Sequence, residues 1–162
     1  MKTILTVAIP LITGLFFSNS GIAEDAAKPA EWLFVHTAQT AYMTSATTLI
    51  MPVTRDIFAF TDRPDRLHRY MNAHEFVSLW GEGDTFKANP PNAVLTWVDG
   101  GEIKEAELLI ISAETDSNHS EISYEVKLEA GELPAGTLDA VSLFVDSVCS
   151  DHGGVSFGGY PC

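Results

Sequence analysis

The chain reads as mainly β, an antiparallel β-sandwich of about seven strands with one short helix. Three observations carry that expectation. Short apolar runs rich in β-branched and aromatic residues recur along the sequence. Turn formers such as Asn89-Pro90-Pro91-Asn92, Asp99-Gly100 and Gly131 to Gly136 separate them. One stretch, Ile122 to Glu129, alternates apolar and polar residues with a strict period of two, as a strand with one wet face does. A partly open barrel is the alternative arrangement of the same strands.

The first segment, 1–23, reads as a secretory signal: Met1-Lys2, an apolar run from Ile4 to Phe17, and Gly21-Ile22-Ala23 before a cut. It places the protein outside the inner membrane, periplasmic or extracellular and soluble. Residues 24–30 form a flexible leader, 31–148 the β-sandwich domain and 149–162 a glycine-rich tail. Trp32 to Val35, Thr47 to Met51 and Asp56 to Phe60 are the first strands, and Pro52 ends the second because proline cannot donate to a ladder. Asn72 followed by Glu75 is an asparagine capping box. It opens a helix of about two turns that buries Phe76, Val77 and Trp80 and stops at Gly81 and Gly83. Four strands follow as a meander: Val94 to Val98, Ile103 to Ser112, Ile122 to Leu128 and Val141 to Val148. Asp99-Gly100 marks the first hairpin. Leu108 to Ile111 is apolar on both faces and reads as central in the sheet.

A hydrophobic content of 46% is too high for a disordered chain. The formal charge of −13 repels phosphate backbones, which argues against nucleic acid as a partner. No apolar run beyond Ala23 approaches the ~18 residues of a membrane span. Cys149 and Cys162, in an oxidising compartment, read as a disulfide that closes the tail. Such a loop contributes up to about 3 kcal/mol.

All four arginines fall between Arg55 and Arg69, in Thr61-Asp62-Arg63-Pro64-Asp65-Arg66-Leu67-His68-Arg69-Tyr70. Guanidiniums present a rigid fork suited to carboxylate or phosphate. Asp62, Arg63, Asp65, Arg66 and Arg69 are therefore the candidate binding residues, with the aspartates either orienting or neutralising the arginines. The ligand would be a small anion or an envelope protein. His68, Met71 and His74 form the alternative, a soft copper-type metal site, although their spacing is not the i, i+4 pair of a helical site. His36 and His119 look ordinary. Gly154-Val155-Ser156-Phe157-Gly158 matches a nucleophile-elbow pattern, but no histidine follows it and no helix can. A loose calcium site at Asp116 to Asn118 is a weaker alternative, and Asn118-His119-Ser120 is a formal glycosylation sequon. No residue is assigned a catalytic role and no cofactor is expected. A small hydrolase would need an acid–base pair assembled across loops, to which Asp62 and Asp65 could contribute.

Several blocks together are similar to a group of uncharacterised exported single-domain proteins. They are Trp32 to Ala38, Phe60-Thr61-Asp62-Arg63-Pro64-Asp65-Arg66, Glu75-Phe76-Val77 with Trp80, Pro90 to Ala93, and Val141 to Asp146. The resemblance implies a shared single domain and marks the Asp62–Arg66 block as the first place to look for a site. The sequence expectation is a non-enzymatic binding or interaction module of the cell envelope.

Overall fold

The computed structural model describes residues 31–81 and 85–146. The expected signal segment and leader, the expected Cys149–Cys162 pairing and the Gly154–Gly158 stretch lie outside the described residues. In chain order the elements are β1 (Trp32–Met43), β2 (Thr48–Pro52), β3 (Ile57–Thr61), β4 (His68–Met71), α1 (Ala73–Val77), a 3-10 turn (Ser78–Trp80), α2 (Thr85–Ala88), β5 (Asn92–Asp99), β6 (Glu102–Thr115), β7 (Glu121–Gly131) and β8 (Gly136–Asp146).

The sheet is antiparallel throughout, in the order β2-β7-β6-β5-β8-β1-β3-β4, and β2 pairs again with β1. Six strands therefore close into a barrel, and β3 and β4 stand outside it as a two-stranded annex. This corrects the expected sandwich of about seven strands. The cause lies in β1. It runs for 12 residues and divides one edge between two partners. Trp32 to Val35 pair with β3, while Tyr42 and Met43 pair with β2. In sequence that strand reads as ending at Val35, because Thr37, Gln39 and Thr40 interrupt the apolar run.

Curvature comes from local irregularities. Inward alternation shifts by one residue near Gln39 on β1 and near Ala140 on β8, where Ala140 takes a φ of 50°. Further register shifts fall at Thr96/Val98, Glu107/Leu108 and Ile110/Ser112. The expected four-strand meander is also corrected. Strands β5, β6 and β7 run as consecutive hairpins, but β8 returns between β5 and β1, which is a Greek-key order. The β5–β6 hairpin closes through Gly100 and Gly101, with φ of 59° and 85°, values that favour glycine. Leu108 and Ile110 face the core, while Ile111 is 41% exposed, so β6 is central in the sheet yet keeps one wet face.

The barrel interior is filled by side chains, among them Phe34, Leu49, Met51, Leu95, Leu108, Ile110, Tyr124 and Leu143. One end is plugged by the link between β4 and β5. Asn72 caps α1: its Oδ1 accepts the Glu75 N–H at 2.9 Å, and Glu75 Oε2 accepts the Asn72 N–H at 3.4 Å. The expected helix tightens into the 3-10 turn after Val77, and α2 adds a short helix the sequence did not suggest. Phe76 packs 5.5 Å from Phe34 and edge-on to Trp80 at 5.4 Å. Trp80 Nε1–H donates to the Ile110 carbonyl at 3.2 Å, which ties the plug to the barrel wall.

Within the interior, His36 is the buried imidazole. Its Nε2 lies 3.1 Å from the Pro52 carbonyl and its Nδ1 lies 2.8 Å from the Tyr124 hydroxyl. A carbonyl only accepts, so Nε2 carries the proton and the Tyr124 O–H donates to Nδ1. Pro52 ends β2 where β1 turns from β2 toward β3, so this side chain bridges the seam of the barrel. Burial lowers the His36 pKa to about 4, partly offset by the bond to Pro52, and burial pushes the Tyr124 hydroxyl well above its ordinary value.

A neutral buried His36 binds its proton less tightly than the unfolded chain does. Its stabilisation is complete above about pH 6.5 and is lost as pH falls toward 4. Denaturant unfolding between pH 7 and 4 is expected to show a loss of about 3 kcal/mol, and a His36→Gln variant removes that part of the slope. A second prediction concerns Gly131, where φ is 87° and an added Cβ would sit 2.9 Å from the Glu105 carbonyl oxygen. Gly131→Ala is expected to lower the unfolding free energy by more than about 1 kcal/mol.

Candidate functional site

The arginine-rich segment forms the β3–β4 hairpin. Thr61 N–H donates to the Leu67 carbonyl at 2.9 Å, and Leu67 N–H donates to Thr61 Oγ1 at 2.9 Å. Arg66 N–H donates to the Asp62 carbonyl at 3.1 Å, and Arg66 takes a φ of 51°. The Arg63–Pro64 peptide is cis. Asp62 Oδ1 accepts the backbone N–H of Arg63 at 2.7 Å, so its carboxylate serves the turn.

These contacts place the five candidate binding residues in two settings. Asp62, Arg63, Asp65 and Arg66 lie together on the exposed turn. Among the described residues, Arg55, Arg63 and Arg66 make no ion pair, and Asp65 makes none either. Arg69 stands apart from them. Its Nη2 donates to Glu75 Oε1 at 2.7 Å, joining β4 to the cap of α1. Both partners are partly exposed, so this pair contributes only about 0.5 kcal/mol.

The β3–β4 register also builds a feature that sequence reasoning missed. Val94 pairs with Phe144, Phe144 with Val35, Val35 with Phe58, and Phe58 with Tyr70. Residues directly opposite in antiparallel strands share a face. These five therefore form one apolar row across the outside of β5, β8, β1, β3 and β4, roughly 19 Å long at ~4.8 Å per strand. A second row runs beside it through Asp146, Leu33, Phe60 and His68. Tyr70 is 63% exposed, while Val94 and Phe144 are each 38% exposed. Phe58 stacks on Phe60 at 5.6 Å and meets Tyr70 at 5.2 Å and His68 at 6.4 Å.

Two hollows flank the rows. One of about 230 Å³ is lined by Val35, Thr37, Arg55, Asp56, Phe58 and Tyr70. The other, about 380 Å³, lies at Leu33, Val94, Phe144, Asp146 and the β6–β7 glutamates Glu107 and Glu129. Partial burial, with Glu31 nearby, raises the Asp146 pKa. One signal for this face was present in the sequence. Ile57-Phe58-Ala59-Phe60 is apolar on both faces of a short strand, yet an arginine-rich turn follows it.

The copper-type set is not brought together. His68 and Met71 fall on opposite faces of β4: His68 is exposed beside Phe58, while Met71 is buried in the core. His74 lies on α1, its ring 5.5 Å from that of His119. Among the described residues no group of three or more His, Cys, Asp or Glu side chains is arranged to hold a metal ion. At the β6–β7 loop, Asp116 accepts the backbone N–H groups of Ser120 at 2.7 Å and Glu121 at 3.0 Å, and the Ser120 hydroxyl at 2.9 Å. The bond to Glu121, followed by those to Ser120 and Asn118, holds its carboxyl below the usual range. The carboxylate therefore organises its own loop.

Among the described residues no helix is long and apolar enough to cross a membrane. No protein-family model, curated protein or solved structure matches this chain.

Among the described residues the Arg63 and Arg66 side chains make no hydrogen bond or ion pair, whereas Arg69 holds Glu75. The double variant Arg63→Ala/Arg66→Ala is expected to unfold within about 0.5 kcal/mol of the parent. Arg69→Ala is expected to lose about 0.5–1 kcal/mol through the lost helix tie. Thermal denaturation of the two variants side by side checks the difference.

Proposed function

We propose that the protein is an exported, non-enzymatic binding module of the cell envelope that engages another protein through the outer face of β1, β3 and β4. The observation that carries this reading is the outward row Tyr70–Phe58–Val35, exposed at Tyr70 and half-buried at Phe58 and Val35, with Arg55, which makes no ion pair among the described residues, beside it and Arg63 and Arg66 at the hairpin tip. Tyrosine and arginine are the residue types that dominate binding energy at protein interfaces. Tyr70 presents its ring to solvent with a floor of Phe58 already fixed beneath it, so little side-chain order is lost on docking. The barrel interior supports the same reading. Phe34, Leu95, Leu108, Tyr124 and Leu143 occupy it, which leaves recognition to the outside. The β6–β7 wall differs in character, since Glu105, Glu107, Glu125 and Glu129 point outward there.

Site-specific photocrosslinking in the source cell tests this proposal. Benzoylphenylalanine in place of Tyr70 is expected to yield a discrete protein adduct in the envelope fraction. The same group in place of Ile103 or Ile111, exposed apolar residues on the acidic wall, is expected to yield none. Equal labelling from all three positions, or none from position 70, removes the proposal. The intact mass of the envelope protein checks export, which requires a chain beginning at Glu24.

A further inference from the structure

A closed barrel has no strand edges, but the annex of this fold restores one. Among the described residues strand β4 pairs only with β3. The bond from Thr61 N–H to the Leu67 carbonyl fixes which residues of β4 face β3. In an antiparallel ladder, hydrogen-bonded and non-bonded pairs alternate. The register therefore turns the N–H and C=O of Arg69 and Met71 toward Ala59 and Ile57. The N–H and C=O of His68 and Tyr70 point the other way, and no described residue bonds to them. Natural proteins commonly blunt an edge with lysine, proline or a bulge. This edge has none of these within His68–Met71 and presents two exposed aromatic rings instead.

We infer that β4 is a strand-addition site for an extended acidic segment of another polypeptide, apolar where it lies opposite Tyr70. The inference rests on the binding-module reading above and specifies its mode. The outward N–H and C=O groups of His68 and Tyr70 give the incoming strand a main-chain ladder. A residue opposite Tyr70 extends the row Val94–Phe144–Val35–Phe58–Tyr70 by one strand, which calls for an apolar or aromatic side chain. Guanidiniums bracket the edge: Arg66 sits just before His68, and Arg55 lines the hollow beside Tyr70. None is neutralised by an ion pair among the described residues, so carboxylates flanking the apolar centre complement both ends. The same charges disfavour a second copy of this chain. A second copy offers no acidic strand to the arginines at this edge, and each copy carries a formal charge of −13, so two copies repel on approach.

The test uses the full mature protein and a fluorescein-labelled peptide, Glu-Glu-Val-Tyr-Val-Phe-Glu-Glu, read by fluorescence polarisation. Binding is expected, and it should weaken as salt rises. The peptide with lysine in place of every glutamate is expected to bind at least about tenfold more weakly. N-methylating the peptide amides along one edge should abolish binding, because methylation removes ladder donors and leaves the side chains unchanged. Arg55→Ala and the pair Arg63→Ala/Arg66→Ala should each weaken binding severalfold. His68→Pro should abolish it while the far-UV circular dichroism stays unchanged, since the lost N–H faces away from β3. No binding, equal binding of the lysine peptide, or full binding of the N-methylated peptide each overturns the inference. A dimer of the protein alone that Tyr70→Asp disperses would assign the edge to a second copy and overturn it too. If position 70 still crosslinks a protein in the cell while these peptide results fail, strand addition falls and the binding-module reading stands. If both fail, both fall.

Discussion

The fold depends on one strand serving two partners along the same edge. β1 pairs with β8 from Leu33 to Met43, with a break at Gln39, on one side but divides its other side between β3 and β2. From that division follow both the closed barrel and the open annex. Where β1 changes partner, the barrel wall lacks ladder bonds, and backbone groups there need other partners. His36 supplies one by holding the Pro52 carbonyl, while Tyr124 satisfies the far side of its ring. A polar brace of this kind is stable only when every member is bonded. Among the described residues no buried side-chain nitrogen or oxygen lacks a partner.

The closure also decides where recognition can occur. A packed barrel of this size puts apolar side chains inside and leaves the outside to water. On β6 and β7 the outside follows that rule in part: Glu105, Glu107, Glu125 and Glu129 stand outward, although Ile103 and Ile111 are exposed among them. On the annex side it does not. There the outward positions are Phe58, Phe60, Tyr70 and Val35, and the arginines gather around them. The acidic wall and the aromatic, arginine-edged annex are thus two regions of the outer face of one sheet. Repulsion from the first helps keep copies apart, and the second offers a partner both apolar area and charge.

Strand content and local signals were legible in the sequence, because they depend on near neighbours. The Asn72–Glu75 cap and the glycine hairpin after Asp99 appear as read, and the alternation from Ile122 holds as far as Val126, beyond which Leu128 is exposed. Closure was not legible. It depends on β1 continuing through Thr37, Gln39 and Thr40, whose polar side chains hide a strand that burial at Ala38 and Ala41 reveals. His36 looked ordinary because its importance comes from Tyr124, 88 positions away. The arginine block was legible as a cluster, but its division was not. Strand alternation in β4 sends Arg69 to Glu75 and leaves His68 and Tyr70 outside. The apolar row is a property of register across five strands, and register is set by long-range pairing.

The central claim is that β1 holds a closed barrel and an annex with one free edge. Residue-resolved amide hydrogen exchange on the isolated protein tests it most directly, because protection follows hydrogen bonding. Along β4 the account predicts alternation, with slow exchange at Arg69 and Met71, which bond to β3, and fast exchange at His68 and Tyr70. Strands β5, β6 and β8 should be the slowest of all, exchanging only on global unfolding. Uniform protection along β4 would mean that the edge is already covered, and uniform fast exchange would mean that the annex does not form. Either result would contradict the account.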